Sequence, residues 1–171
     1  MFANYVDELH SLNTWIWCLS LVAPILMFSK RLGSRSYYIT AITWLITQFI
    51  NLRIESYLFA LSKEAGFIFW FGSWATIDAI SITLIYAFHV QLKAKVEFEA
   101  MSVMIAYAFL GMVQIIYYFD AVVIQTRIFE SAYQIAINTG NVVITLILTL
   151  PLCKALYQRL RSTLAKRREA S

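Results

Sequence analysis

The residue whose position most strongly indicates chemistry is Asp78, an acid in the middle of a long apolar stretch. An acidic side chain at the centre of a bilayer costs about 2.5 to 3.5 kcal/mol on insertion scales, so a partner or a function must offset that cost. Ser81 lies one helical turn away, where it is placed to hydrogen-bond the acid. If Asp78 titrates, it would handle protons or cations. If it is paired, it would instead lock helices together.

A second set of polar side chains repeats every three or four residues near the end of the chain. This spacing places them on one face of a helix. Amides and hydroxyls would be unsatisfied in hydrocarbon, so this face must meet other helices, other subunits or water. It serves either for interhelical hydrogen bonds, each worth about 0.6 kcal/mol, or as the lining of a hydrated path. The members of this polar seam are Gln134, Asn138, Asn141, Thr145 and Thr149.

A third set follows the same spacing earlier in the chain and ends in a charge. Its members are Thr40, Thr43, Thr47, Asn51 and Glu55. We predict that this face avoids lipid and that Asn51 and Glu55 contribute to an ion path. Arg53 lies on another face than Glu55, because residues two apart do not meet on a helix. We therefore predict structural ion pairing with more distant partners for Arg53, Glu55 and Asp120.

Motifs of enzymes and cofactor sites are missing from the sequence. It has no G-x-S-x-G, H-E-x-x-H or paired-cysteine pattern and no phosphate-binding glycine loop. His10 and His89 are the only histidines and fall on opposite sides of the predicted membrane, which excludes an all-histidine metal site within one subunit. We predict no catalytic residue, no bound metal and no cofactor, and an intramembrane enzyme is only the second alternative.

The elements that must position these residues are membrane-spanning helices. Hydrophobic residues make up 60% of the 171 residues and charged residues 14%, and the mean hydropathy is +0.66. A spanning helix needs about 20 mostly apolar residues. We predict an all-α bundle of five such helices in one domain over residues 1–158, with a basic tail over 159–171. The predicted spans are Leu12–Phe28, Tyr37–Leu61, Phe67–Val90, Met101–Ile124 and Ser131–Leu152.

Positive charge sets the predicted orientation, because cytoplasmic loops carry an excess of Lys and Arg. Cations follow the first, third and fifth spans, which places the N-terminus outside and the C-terminus in the cytoplasm. A four-span alternative would put the N-terminus and the basic tail on one side, against this pattern. Cations near the surface would also bind anionic lipid headgroups, at about 1 kcal/mol each. The residues assigned to this role are Lys30, Arg31, Arg35, Arg159, Arg161, Lys166, Arg167 and Arg168.

Two functions from different classes are consistent with these features. The first is a small channel or carrier, homo-oligomeric, that conducts cations or protons along the polar faces of helices two, three and five. The second is a non-catalytic accessory subunit that docks into a larger membrane complex through the same faces. The expected location is the cell membrane, as a multi-pass protein, and the inner membrane if the source is a bacterium. No fold signal supports binding of nucleic acid.

Overall fold

The described part of the chain forms helices joined by short loops and contains no strand. The computed structural model describes residues 20–169, and the side chains of residues 20–162. The helices are α1, described over Ser20–Ser29, α2 (Arg35–Ala65), α3 (Ile68–Gln91), α4 (Phe98–Tyr118) and α5 (Glu130–Glu169). A short π-helix, Phe119–Ile124, continues α4. The prediction of an all-α protein with five helices is confirmed.

Three of these helices are long and apolar enough to cross a membrane. Among the described residues they are Ile68–Gln91, Phe98–Ile124 and Glu130–Ser162. Helix α2 is longer, at 31 residues, but it contains too many polar and charged residues to count as apolar enough to cross a membrane. The predicted first span, Leu12–Phe28, begins outside the described residues. The described part of the chain thus has three helices able to span a membrane, while five spans and their orientation stay predictions.

The ends of the helices follow local sequence signals. The Ser34 hydroxyl caps α2 by accepting the Tyr37 N–H at 3.1 Å. Gly66 ends the same helix with a φ of 106°, a conformation that favours glycine. Helix α5 continues through Pro151 to Glu169, so residues 159–169 belong to this helix, while the division into a bundle domain and a basic tail stays a prediction.

Helix α4 is the centre of the bundle, because it packs against α2, α3 and α5. Lipid does not drive apolar helices together, so close backbone approach matters more than in water. Gly140 of α5 provides such an approach, since a Cβ at this position would overlap the side chain of Leu110 on α4. Ala23 and Met27 of α1 belong to the same buried core.

Helix α2 buries polar as well as apolar side chains. Polar side chains of α2 are buried, while many large apolar side chains point outward. This distribution is the one expected where the surrounding solvent is hydrocarbon. The buried polar residues of α2 are Ser36, Thr40, Thr43, Thr47, Gln48 and Ser62, and exposed apolar residues of the same helix include Ile42, Ile46, Phe49 and Ile50.

Candidate functional site

Asp78 lies half-buried on α3, facing α4. A Cβ built on Gly111 of α4 would be 3.5 Å from the Asp78 Cβ and 3.8 Å from its Oδ2. These are ordinary van der Waals distances, so α4 passes directly beside the carboxylate at Gly111. Asp78 also lines an open groove of about 320 Å³ between the two helices, which we call the α3–α4 groove.

The walls of the α3–α4 groove are almost entirely apolar. Among the described residues that line it, Asp78 and Tyr107 are the only ones that carry polar side-chain atoms of nitrogen or oxygen. The other lining residues are Ala75, Ala79, Ile82, Ala108, Gly111, Met112, Ile115 and Ile116. Four of these eight are alanine or glycine, so the groove is open because its side chains are small.

A cluster of three hydroxyls lies beside this carboxylate. The Thr47 and Ser81 oxygens are 2.9 Å apart, and the Ser81 hydroxyl donates to the Ile77 carbonyl at 2.8 Å. Because Ser81 has only one hydroxyl proton, the Thr47 hydroxyl donates to Ser81. Tyr107 is 1% exposed, and its hydroxyl lies next to Thr47 and Ser81 but makes no well-formed hydrogen bond. The cluster therefore contains one buried, unsatisfied hydroxyl.

The neighbours of Asp78 differ from those predicted. Ser81 was expected to hydrogen-bond the carboxylate, but its proton is used by the Ile77 carbonyl one turn back along α3. The described residues donate no hydrogen bond to Asp78. The helical spacing predicted that Thr47 lies on a lipid-avoiding face. It did not predict that the hydroxyl cluster of Thr47 and Tyr107 lies near Asp78. Nothing in the local spacing reveals that link, because the residues lie on three different helices.

The polar face of α2 is buried over most of its length, as predicted. The hydroxyls of Thr40 and Thr43 donate to carbonyls of their own helix, both at 2.9 Å. Asn51 is half-buried, and its Oδ1 atom is buried without a partner. Glu55, one turn further on, is exposed. Of the two predicted path residues on α2, only Asn51 thus lies partly within the bundle.

The polar seam of α5 turns inward along the helix. Gln134 is exposed, Asn138 and Asn141 are half-buried, and Thr145 is buried. The Asn138 amide donates to the Gln134 carbonyl at 2.8 Å, so it bonds within its own helix. The Thr145 hydroxyl oxygen is buried and has no partner. A role of the seam in an ion path stays a prediction.

Asp120 organises the loop before α5, and its predicted ion pairing stays a prediction. It is 4% exposed and accepts hydrogen bonds from the Thr126 hydroxyl and from the N–H groups of Ile128 and Phe129, at 3.3 and 2.9 Å. A carboxylate here also interacts favourably with the N-terminal end of a helix. The Arg53 guanidinium lies over the Phe49 ring, 5.3 Å from its centroid. Ion pairing of Arg53 and Glu55 stays a prediction.

The cations assigned to lipid headgroups are exposed wherever the structure describes their side chains. The five whose side chains are described, Lys30, Arg31, Arg35, Arg159 and Arg161, are all exposed. The side chains of Lys166, Arg167 and Arg168 lie outside the described residues. Contact with headgroups stays a prediction for the whole set.

His89 forms a buried junction that the sequence did not reveal. It is 1% exposed, with Nδ1 2.6 Å from the Ile85 carbonyl and Nε2 2.8 Å from the Ser36 hydroxyl. A carbonyl can only accept, so Nδ1 carries a proton, and in the neutral imidazole Nε2 then accepts from Ser36. The Ser36 oxygen in turn accepts the Glu97 N–H at 3.1 Å. The sequence carried one signal of this junction, because Ser81, Ile85 and His89 are four residues apart and so share one helix face. In the structure all three are buried.

A second cavity, of about 230 Å³, lies near this junction. Its polar lining residues are Ser34, Tyr37, Glu97, Glu99, Lys154 and Gln158. The Ser34 hydroxyl donates to a Glu97 carboxylate oxygen at 2.7 Å, and the Tyr37 hydroxyl donates to the Leu148 carbonyl at 3.0 Å. Two of its polar groups are therefore used to hold loops and helices together.

No group of three or more His, Cys, Asp or Glu residues within the described part of the chain is arranged to hold a metal ion. Comparison of the chain with protein-family models, curated proteins and solved structures finds no match. The function must therefore be argued from the site itself.

Proposed function

We propose that this protein is a small membrane channel or carrier that moves cations or protons, with Asp78 as the residue that binds them. The observation that supports this is the contrast between two aspartates. Asp120 accepts three hydrogen bonds from its loop, whereas Asp78 accepts none from the described residues. An acid kept in an apolar helix without a structural partner is the arrangement expected of a transport site.

The proposal includes five spans, with the N-terminus outside and the C-terminus in the cytoplasm. Helix α2 has the least apolar composition, so its place among the proposed membrane spans needs support of its own. Its buried threonines and its exposed Ile42, Ile46 and Phe49 support a place in the membrane, with polar groups inside and apolar groups toward lipid. The exposed cations Lys30 and Arg35 flank the α1–α2 loop, as a cytoplasmic loop would require.

Oligomerisation is also part of the proposal. Five helices of this length enclose little volume, so a conducting path requires either more than one copy or a motion of the bundle. The half-buried Asn138 and Asn141 on α5 are available to line such a shared path, and the unsatisfied oxygens of Asn51 and Thr145 are further polar groups along it.

Flux through reconstituted protein tests this function. Purified protein in liposomes, with a pH dye inside and a K⁺ or proton gradient, is compared with Asp78→Asn, Asn141→Leu and empty liposomes. Glu64→Gln is the matched control, because it removes one carboxylate charge at an exposed position. We expect flux in the wild type and in Glu64→Gln and loss of flux in Asp78→Asn. Wild-type flux no greater than that of empty liposomes would refute the proposal.

An accessory subunit of a larger complex is the second candidate, and the α3–α4 groove favours it. Small residues at a helix surface let a partner helix approach closely, and the groove presents Ala79 and Ala108 at the exposed surface. The intramembrane-enzyme alternative has less support, because it needs a second acid near Asp78 and the Asp120 carboxylate is occupied by its loop. A cysteine at position 108 that crosslinks to another membrane protein, together with absent flux, would favour the accessory subunit.

A further inference from the structure

We infer that the α3–α4 groove binds a lipophilic organic cation, a molecule with one positive charge on an apolar body. This rests on the proposed function and names the class of its substrate. The groove supplies one carboxylate, one hydroxyl and otherwise carbon, which is the complement of such a molecule. Its volume of about 320 Å³ is at the small end of the range of about 300 to 1,000 Å³ typical of ligand pockets.

The hydroxyl cluster argues against a bare metal ion in the groove. A hard cation that gives up its hydration shell needs about six or more oxygen ligands. Thr47 and Ser81 hydrogen-bond to each other, and Ser81 also bonds to its own helix. Asp78 and Tyr107 alone remain to supply oxygens, which is too few. An organic cation needs no such shell, because its charge is already surrounded by carbon.

Two polar groups in the groove lack partners, and both suit a cation. The Asp78 carboxylate accepts no hydrogen bond from the described residues, and a bound cation would balance its negative charge. Tyr107 lines the same groove, and its buried hydroxyl makes no well-formed hydrogen bond and lies close enough to Asp78 to interact with its charge. In an apolar surrounding, such charge pairing is much stronger than in water.

The position of the groove defines how the ligand would enter. Ala79, Ala108 and Met112 line it and are exposed on the outer surface of the bundle. In a membrane this surface faces hydrocarbon, where a lipophilic cation partitions and a hydrated metal ion does not. The same apolar walls that repel a metal ion would therefore bury the body of an organic cation.

Equilibrium dialysis with phenyltrimethylammonium tests the inference. The full chain is embedded in nanodiscs, and binding to empty nanodiscs is subtracted. The variants are Asp78→Asn, which removes the charge, and Ala108→Leu, which fills the groove from its exposed edge without changing charge. Their controls are Glu64→Gln and Ala87→Leu, both exposed and outside the groove lining. The competitor is tert-butylbenzene, which has the same shape without the charge.

We expect saturable binding to the wild type and to both controls, and affinity lower by about tenfold or more in Asp78→Asn and in Ala108→Leu. The neutral competitor should displace the cation poorly. Binding that is absent in the wild type, or unchanged in Ala108→Leu, would overturn the inference. Proton or K⁺ flux without binding leaves the proposed function standing and rejects the lipophilic cation. Binding without flux of protons, K⁺ or phenyltrimethylammonium keeps the site and rejects transport.

Discussion

Two tyrosines that are buried to the same degree should respond in opposite ways to loss of their hydroxyls. Tyr37 on α2 is 2% exposed, and its hydroxyl donates to the Leu148 carbonyl of α5 at 3.0 Å. Tyr107 on α4 is 1% exposed, and its hydroxyl makes no well-formed hydrogen bond. The Tyr→Phe substitution removes the same oxygen atom in both cases, so the difference in outcome reports only the surroundings of that atom.

The magnitudes follow from the two environments. Tyr37→Phe should lower the free energy of unfolding by about 0.5 to 1.5 kcal/mol, the net value of one hydrogen bond. Tyr107→Phe should raise it by about 1 to 3 kcal/mol, because burying a hydroxyl without a partner costs this much in proteins. The two variants are therefore expected to differ by about 1.5 to 4.5 kcal/mol.

Unfolding in mixed micelles measures this difference. The helical far-UV circular dichroism of each purified variant is followed as the mole fraction of sodium dodecyl sulfate rises in dodecyl maltoside. Tyr157→Phe is the matched control, because that tyrosine is exposed and its substitution should change little. Destabilisation of Tyr107→Phe by 1 kcal/mol or more would show that its hydroxyl has a partner, and the reasoning about an unsatisfied group beside Asp78 would then be refuted.

The same titration and amide hydrogen exchange check three further expectations. Gly72→Ala should stabilise by up to about 1 kcal/mol, because the added methyl has room and alanine favours the helix, whereas Gly140→Ala should destabilise by about 1 to 3 kcal/mol, because its methyl overlaps Leu110. Asp120→Ala should speed amide exchange in the loop before α5, because two N–H groups lose their acceptor. Ser36→Ala should cost about 1 to 3 kcal/mol, since the buried histidine and the amide it joins both lose a partner.

The length and position of the central helices were predictable from hydropathy alone. The third span was predicted at Phe67–Val90, and α3 is Ile68–Gln91. The fifth was predicted to end at Leu152, but α5 runs to Glu169. Hydropathy marks where a helix can be in contact with lipid, not where helical conformation stops. The tail beyond Leu152 is rich in Leu, Ala, Lys and Arg, which favour helix in water as well.

The neighbours of the candidate site were not predictable in the same way. Helical spacing shows that Thr47 and Asp78 each lie on a particular face of a helix. It does not show which neighbouring helix that face meets, because tertiary packing sets the rotation of each helix. Spacing also placed Ser81 next to Asp78, but the carbonyl of residue i−4 is a nearer acceptor for a serine hydroxyl within a helix. A periodic pattern of polar residues does not show that a backbone carbonyl competes with Asp78 for the Ser81 hydroxyl.

Some polar side chains of the bundle join elements by hydrogen bonds, whereas others make none. Near the helix ends, the Asp120 loop and the His89–Ser36 junction use their hydrogen-bonding capacity to join elements. Near the helix middles, Asp78 and Tyr107 keep a carboxylate and a hydroxyl without partners. An unsatisfied polar group costs free energy in an apolar interior, and stability alone would favour replacing it by an apolar side chain. Asp78 and Tyr107 both line one open groove, so the ligand that we propose for this groove would supply the partner that each of them lacks.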